Sequence, residues 1–195
     1  MQRFKPGLLV LSILLTEVTL ASPERVVESF HQALISAMQA ETDETRKSIL
    51  DDAINNHFKV HTIARISLGR NWRTLKSDEQ SDYMALMEKL ISTTYASRFN
   101  KFDNQTFAFV SSSPIASNRT RVKSILNTKS EIVNLDYQLL FSQETWRIYD
   151  VVANGVSDLS LKRSNYAALF ANGGLDAVTA DITASINKNQ EEPSG

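Results

Sequence analysis

The sequence predicts an α+β domain: a four-stranded, curved antiparallel sheet in a β-meander, covered on one face by N-terminal and C-terminal helices. Three observations carry this. Apolar residues recur at three-and-four spacing up to about Phe99, at every second position from Thr106 to about Asn154, and at helical spacing again after Ser157.

The first helix opens at Ser22-Pro23-Glu24, a cap, a first-turn proline and a first-turn acid, and carries Val26, Phe30, Leu34, Ala37 and Met38 to about Ala40. A second, polar on its outer side, keeps Ile49, Leu50, Ala53, Ile54 and Phe58 on one stripe. A third runs from Val60 to Leu68 and stops at Gly69. Ser77-Asp78-Glu79-Gln80 matches a capping box, with Ser77 as cap, and opens the longest helix through Tyr83, Met87, Leu90, Ile91 and Tyr95.

Strands are expected from Thr106 to Val110, Arg119 to Leu126, Ile132 to Phe141 and Trp146 to Ala153, with turns at Ser111 to Asn118, Thr128 to Glu131 and Ser142 to Thr145. In the third strand Val133, Leu135, Tyr137, Leu139 and Phe141 alternate with Asn134, Asp136 and Gln138, so one face is apolar and the other wet. The fourth is apolar on both sides and reads as a central strand. Ser157 caps a helix that stops at Asn172-Gly173-Gly174, and a last helix carries Leu175, Val178, Ile182 and Ile186. Residues 22–187 form a single domain in this reading, and residues 188–195 a disordered polar tail.

Met1 to Ala21 has the layout of a secretory signal: Arg3 and Lys5, an apolar run from Leu8 to Leu15, and small residues before a cleavage point after Ala21. The run is shorter than the about 20 residues that span a bilayer. With no cysteine in the chain, a bacterial periplasm suits an exported protein of this kind better than a disulfide-dense extracellular setting.

Composition narrows function further. At 42% hydrophobic and 22% charged residues the chain fills a core. A net charge of −1 offers no footprint for nucleic acid. The absence of cysteine excludes thiol nucleophiles and zinc-thiolate sites, and the six glycines form no GxGxxG, Walker or GxSxG motif. His57 and His61 are spaced four apart, as two metal ligands on one helical face would be, but no glutamate stands beside His57 and no third ligand is evident. His31 borders an apolar stripe and reads as a hydrogen-bonded structural histidine. Asp136 and Asp150 lie on neighbouring strands and could pair as carboxylates for general acid or base chemistry, although Asp136 falls on the wet face. The sequons at Asn104 and Asn118 matter only in a eukaryotic secretory route. Aromatic residues gather around the meander, and a curved sheet closed by helices makes a cone whose mouth can stay open.

The stretch from Trp146 to Tyr166 (Trp-Arg-Ile-Tyr-Asp-Val-Val-Ala-Asn-Gly-Val-Ser-Asp-Leu-Ser-Leu-Lys-Arg-Ser-Asn-Tyr) closely resembles the signature of the MlaC family of periplasmic lipid-binding, toluene-tolerance proteins. Leu68-Gly69, Trp72-Arg73, Ser77 to Gln80, Thr94-Tyr95, Leu135-Asp136-Tyr137 and Gly173-Gly174-Leu175 support the likeness in order along the chain. Phe30 to Leu34, Tyr95 to Phe99 and Ser157 to Ser160 look most like its hopanoid-associated HpnM branch. Ser164-Asn165-Tyr166 departs from the glutamine and bulky aromatic that many phospholipid-carrying members have there.

The resemblance implies a non-enzymatic carrier. It would bind a phospholipid or hopanoid as cargo, with no cofactor, and exchange it with an inner-membrane complex of a Mce-domain protein and an ABC transporter and with an outer-membrane lipoprotein. It also implies a lipid site: Val122, Leu135, Tyr137, Leu139, Trp146 and Ile148 as wall, Tyr95, Phe99, Tyr166 and Phe170 at the rim, and Arg163 at the mouth against a polar head. Two other readings stand beside it, an enzyme acting on an apolar substrate with Asp150 or Asp136 as base, and a ligand-free adaptor of a membrane complex.

Overall fold

A computed structural model describes residues 22–191. The signal segment and residues 192–195 lie outside them. The order of elements is α1 (Pro23–Met38), α2 (Asp43–His57), α3 (Val60–Leu68), a 3-10 turn (Gly69–Thr74), α4 (Ser77–Arg98), β1 (Thr106–Ala116), β2 (Arg119–Asn127), β3 (Ile132–Ser142), β4 (Thr145–Ala153), β5 (Val156–Ser157) and α5 (Asp158–Glu191).

Local chemistry explains the helix starts. Ser22 Oγ accepts from Arg25 N–H at 3.4 Å with Pro23 in the first turn, and Thr42 Oγ1 accepts from Thr45 N–H at 3.1 Å. In α4 the cap is Lys76, one residue before the predicted Ser77: its N–H donates to Glu79 Oε2 at 2.7 Å. Ser157 does cap α5, accepting from Ser160 N–H at 3.0 Å.

The sheet is an open antiparallel meander of five strands in the order β1-β2-β3-β4-β5, which corrects the expected four. The fifth pairs through only two residues, Val152 with Ser157 and Ala153 with Val156, so β4 is flanked by a full strand on one side and a stub on the other. β1 also runs on to Ala116, through Ser111-Ser112-Ser113-Pro114, which the sequence reading took as a turn. Breaks in register at Phe109/Ser111 and Pro114/Ala116 absorb these residues, and an edge strand tolerates the proline. The final helix extends to Glu191, so residues 188–191 are helical where a disordered tail was expected.

One side of the sheet faces the helices. Val122 pairs with Tyr137, Ser124 with Leu135, Tyr137 with Val151 and Leu135 with Ala153, all on that side. The junction of α2 and α3 is pinned to it: Phe58 bridges Ile148, and Lys59 N–H donates to Ile148 C=O at 2.8 Å. Phe30 of α1 lies fully buried beneath, its ring 5.0 Å from Phe58 and 5.1 Å from Tyr95.

α5 is broken where the sequence stops its helix. Gly174 has φ 65° and ψ −155°, a conformation nearly closed to residues with a Cβ. A methyl group there would meet nothing within 4 Å, so only backbone strain opposes it. Gly174→Ala is therefore expected to lower stability by about 1–3 kcal/mol, read as a shift in the denaturation midpoint, whereas an unchanged midpoint would mean that the break relaxes freely.

Candidate functional site

A cavity of about 470 Å³ opens between α4, strands β2 to β4 and the start of α5. Its walls are Tyr95, Phe99, Leu126, Val133, Leu135, Tyr137, Val151, Ala153, Leu159 and Leu161, with Phe58 and Ile63 at depth. The cause is sequence pattern: alternation on β2 and β3 sends Leu126, Val133, Leu135 and Tyr137 to one face, and the three-and-four spacing of Ile91, Thr94, Tyr95 and Arg98 sets one stripe of α4 against them. Polar groups are few. Among the described residues Arg98 is the lone basic side chain in the lining, which also holds the carboxylates of Glu131, Asp150 and Asp158.

Of the residues predicted to line a lipid site, Tyr95, Phe99, Leu135 and Tyr137 meet in this cavity. The others fall elsewhere. Leu139 and Ile148 pair with each other and are fully buried at the end of the sheet that the α2–α3 junction covers. Trp146 packs on Phe141 at 5.2 Å, and Tyr166 is 2% exposed in the core. Arg163 and Phe170 line a separate cavity of about 370 Å³ beside Gly69 and Arg70. The Arg163 guanidinium lies beside Gly69, where a Cβ would stand 3.7 Å from its Nε. Val122 lines a third cavity, under α1. Val133 and Leu126 were passed over although they share the alternating face of Leu135. Val151, Ala153 and Leu159 give no such local signal.

Among the described residues Asp150 is the one buried carboxyl group of the lining, 9% exposed, and burial raises its pKa above the ordinary range. Both its oxygens accept from Ser157 Oγ, at 3.0 and 2.9 Å, and Oδ2 accepts from Gln138 Nε2 at 3.1 Å, while Tyr149 O–H donates to Gln138 Oε1 at 2.9 Å. These bonds fasten β5 and the start of α5 to the sheet. Asp136 has other partners, Arg121 and Lys123, each at 3.9 Å, so the two aspartates do not form a catalytic pair.

The histidines are committed to structure. His57 bonds Ala53 C=O at 2.7 Å and Ser29 Oγ at 3.0 Å, and His61 sits edge-on to Trp72 at 5.6 Å. Among the described residues, no group of three histidine or acidic side chains is placed to hold a metal ion. His31 stacks on Phe107 with ring centroids 4.0 Å apart and shares a hydrogen bond with Tyr137 O–H at 3.0 Å.

Burial pushes the pKa of His31 down to about 4 from the usual 6.5. The unfolded chain takes up this proton below about 6.5, the folded chain only near 4, so the contribution of His31 to stability is lost as pH falls between them. It amounts to roughly 3 kcal/mol. Asp150 works in the opposite sense, since a raised carboxyl favours the fold as pH falls. The His31 share is isolated by denaturing wild type and His31→Gln at pH 7 and pH 4.5. Wild type is expected to lose more stability between those pH values, and equal losses would refute the assignment.

Among the described residues no helix is long and apolar enough to cross a membrane. Among solved structures, a phospholipid-binding protein from Ralstonia solanacearum, determined in complex with a phospholipid, has the same fold: TM-score 0.78 over 87% of this chain and 99% of that one, at 19% identity. The sequence model described as MlaC protein matches residues 25–184. With that match running from the first turn of α1 into the last arm of α5, the chain belongs to the MlaC family.

Proposed function

We propose that the protein is a periplasmic lipid carrier, without catalytic activity, that takes a phospholipid or hopanoid into the cavity between α4 and the sheet. The observation that carries this reading is the cavity itself, about 470 Å³ and walled by aromatic and aliphatic side chains. The likeness in fold to a protein determined with a phospholipid supports it. So does membership of a family of periplasmic proteins.

The need for such a cavity is physical. Each methylene exposed to water costs about 0.8 kcal/mol, so an acyl chain of about 15 methylenes costs on the order of 12 kcal/mol to carry bare between membranes. A dry apolar wall removes most of that barrier without any bond being made or broken. Arg98, exposed at the edge of the lining, is the cation placed to meet a phosphate, a role the sequence had offered to Arg163. The carrier exchanges cargo with an inner-membrane complex of a Mce-domain protein and an ABC transporter and with an outer-membrane lipoprotein, after removal of residues 1–21 as a signal.

The test is to express the protein in a Gram-negative periplasm, purify it without detergent, extract it with organic solvent and weigh the extract by mass spectrometry. About one lipid per protein is expected. Empty protein, even after incubation with vesicles, would refute the reading. Asp150 also meets the requirement of the enzymatic alternative for a buried carboxyl group in the cavity. If that alternative held, Asp150→Asn would abolish turnover of lipid; the carrier reading expects intact lipid to be recovered from wild type and variant alike.

A further inference from the structure

A cleft of about 370 Å³ lies between the 3-10 turn and the first arm of α5, and it shares no lining residue with the cavity between α4 and the sheet. Its lining is cationic. Arg70 enters from the turn and Arg163 from α5, beside Gly69, and among the described residues no acidic side chain lines the cleft with them. The sequence prepares this imbalance: between Asp52 and Asp78 the chain carries Lys59, Arg65, Arg70, Arg73 and Lys76 and no acid, in a protein whose net charge is −1. Along α5 the acid nearest Arg163 is Asp158, and it pairs with Lys162 at 3.7 Å.

Two features point to a bound anion. Among the described residues neither the Arg70 nor the Arg163 guanidinium has an ion pair or a hydrogen bond, and the side-chain amide of half-buried Asn71, in the same lining, has no hydrogen bond either. Two like charges facing one cleft repel each other, and an oxyanion between them replaces that repulsion with charge-assisted, forked hydrogen bonds. Shape is the second. Gly69, Ala167 and Ala171 leave part of the cleft without bulk, while buried Leu68 and half-buried Phe170 supply an apolar patch. At roughly 30 Å³ for each water-sized group there is room for on the order of twelve non-hydrogen atoms, enough for an oxyanion on a short organic body.

We infer that this cleft binds a phosphate monoester, with its phosphate between Arg70 and Arg163 and its organic part against Leu68 and Phe170. Charge selects the group. A phosphate monoester carries about −1.5 to −2 at pH 7 and balances two guanidiniums, whereas a carboxylate or a sulfate ester leaves one of them without a counter-charge. The Asn71 amide supplies a neutral donor for a remaining oxygen. The same chemistry is offered by a soluble phosphate ester and by the head group of phosphatidic acid.

The experiment titrates the protein with phenyl phosphate and with phenyl sulfate in a calorimeter. Wild type is expected to bind phenyl phosphate saturably and at least tenfold more tightly than the sulfate. Arg70→Gln and Arg163→Gln should each weaken binding at least tenfold. Both side chains are exposed and unpaired, so the melting curves of these variants should match wild type. Ala171→Glu, which brings a carboxylate to the guanidiniums from an exposed position, should weaken binding likewise. Arg98→Gln, in the other cavity, should bind as wild type does. Vesicles of phosphatidic acid and of phosphatidylcholine identify the source. Binding to the former alone, lost in both arginine variants, assigns the ester to a lipid, and phenyl phosphate binding without vesicle binding assigns it to a soluble compound. No saturable binding of phenyl phosphate, equal affinity for the sulfate, unchanged affinity in the arginine variants, or loss of binding in Arg98→Gln would each overturn the site, and none of these would touch the carrier reading.

Discussion

Ala153→Trp is expected to abolish lipid retention while leaving the fold nearly untouched. Ala153 is half-buried in the wall of the apolar cavity between α4 and the sheet, opposite Leu135 across β3 and β4 and opposite Val156 across β4 and β5. An indole at this position extends into empty space and displaces cargo. Excluding even four methylenes forfeits about 3 kcal/mol at about 0.8 kcal/mol each, a loss of more than a hundredfold in affinity. Because the space is vacant, the overpacking that usually penalises a larger side chain is largely avoided. The measurement is transfer of a fluorescent phospholipid from vesicles, with the denaturation midpoint as control. Transfer at wild-type rates by a correctly folded variant would mean that this cavity does not hold the cargo.

Where this site could be read from the chain, and where it could not, follows from which forces act locally. α3 was legible to the residue, Val60–Leu68, because Gly69 follows the last apolar position and adopts φ 57° as the chain leaves the helix. Strands β2 to β4 were legible within a residue or so, because alternation imposed by a half-buried sheet is written in consecutive positions. β5 was not, since two residues carry no period and it forms only by pairing with the end of β4. The serines of β1 look like a turn in isolation, and their pairing with Lys123, Val122 and Arg121 is a tertiary effect that overrides local preference.

The candidate cavity shows the same division. Of the residues expected from periodicity and family likeness to line a lipid site, Tyr95, Phe99, Leu135 and Tyr137 line it. Leu139 and Ile148 have the same pattern as Leu135 and Tyr137, but what separates a cavity wall from solid core is which helix lies above it, and Phe58 fills that end of the sheet. Arg163 follows the same rule: position along the chain put it near the strand end, while the rotation of α5 put it beside Gly69.

Phe30→Ala is expected to have the largest effect on stability of any single substitution considered. Phe30 is fully buried at the meeting point of α1, the α2–α3 junction, α4 and β3, with ring centroids 5.0 Å from Phe58, 5.1 Å from Tyr95 and 6.3 Å from Tyr137, all three edge-on. Truncation removes those aromatic contacts and leaves a void that close-packed neighbours fill only in part, a change worth about 3–5 kcal/mol. A domain of this size has a total stability of about 5–15 kcal/mol, so the variant approaches the threshold of folding. At about 2–4 °C per kcal/mol, the melting temperature should fall by roughly 6–20 °C. Calorimetry of wild type and variant checks this, and a fall of less than about 3 °C would show that the site collapses around the missing ring. The same void lies directly behind Tyr95 and Tyr137, two walls of the cavity proposed to hold the lipid. Bound lipid should therefore restore part of the lost stability to Phe30→Ala, through linkage between binding and folding, and the melting temperature should rise with lipid concentration.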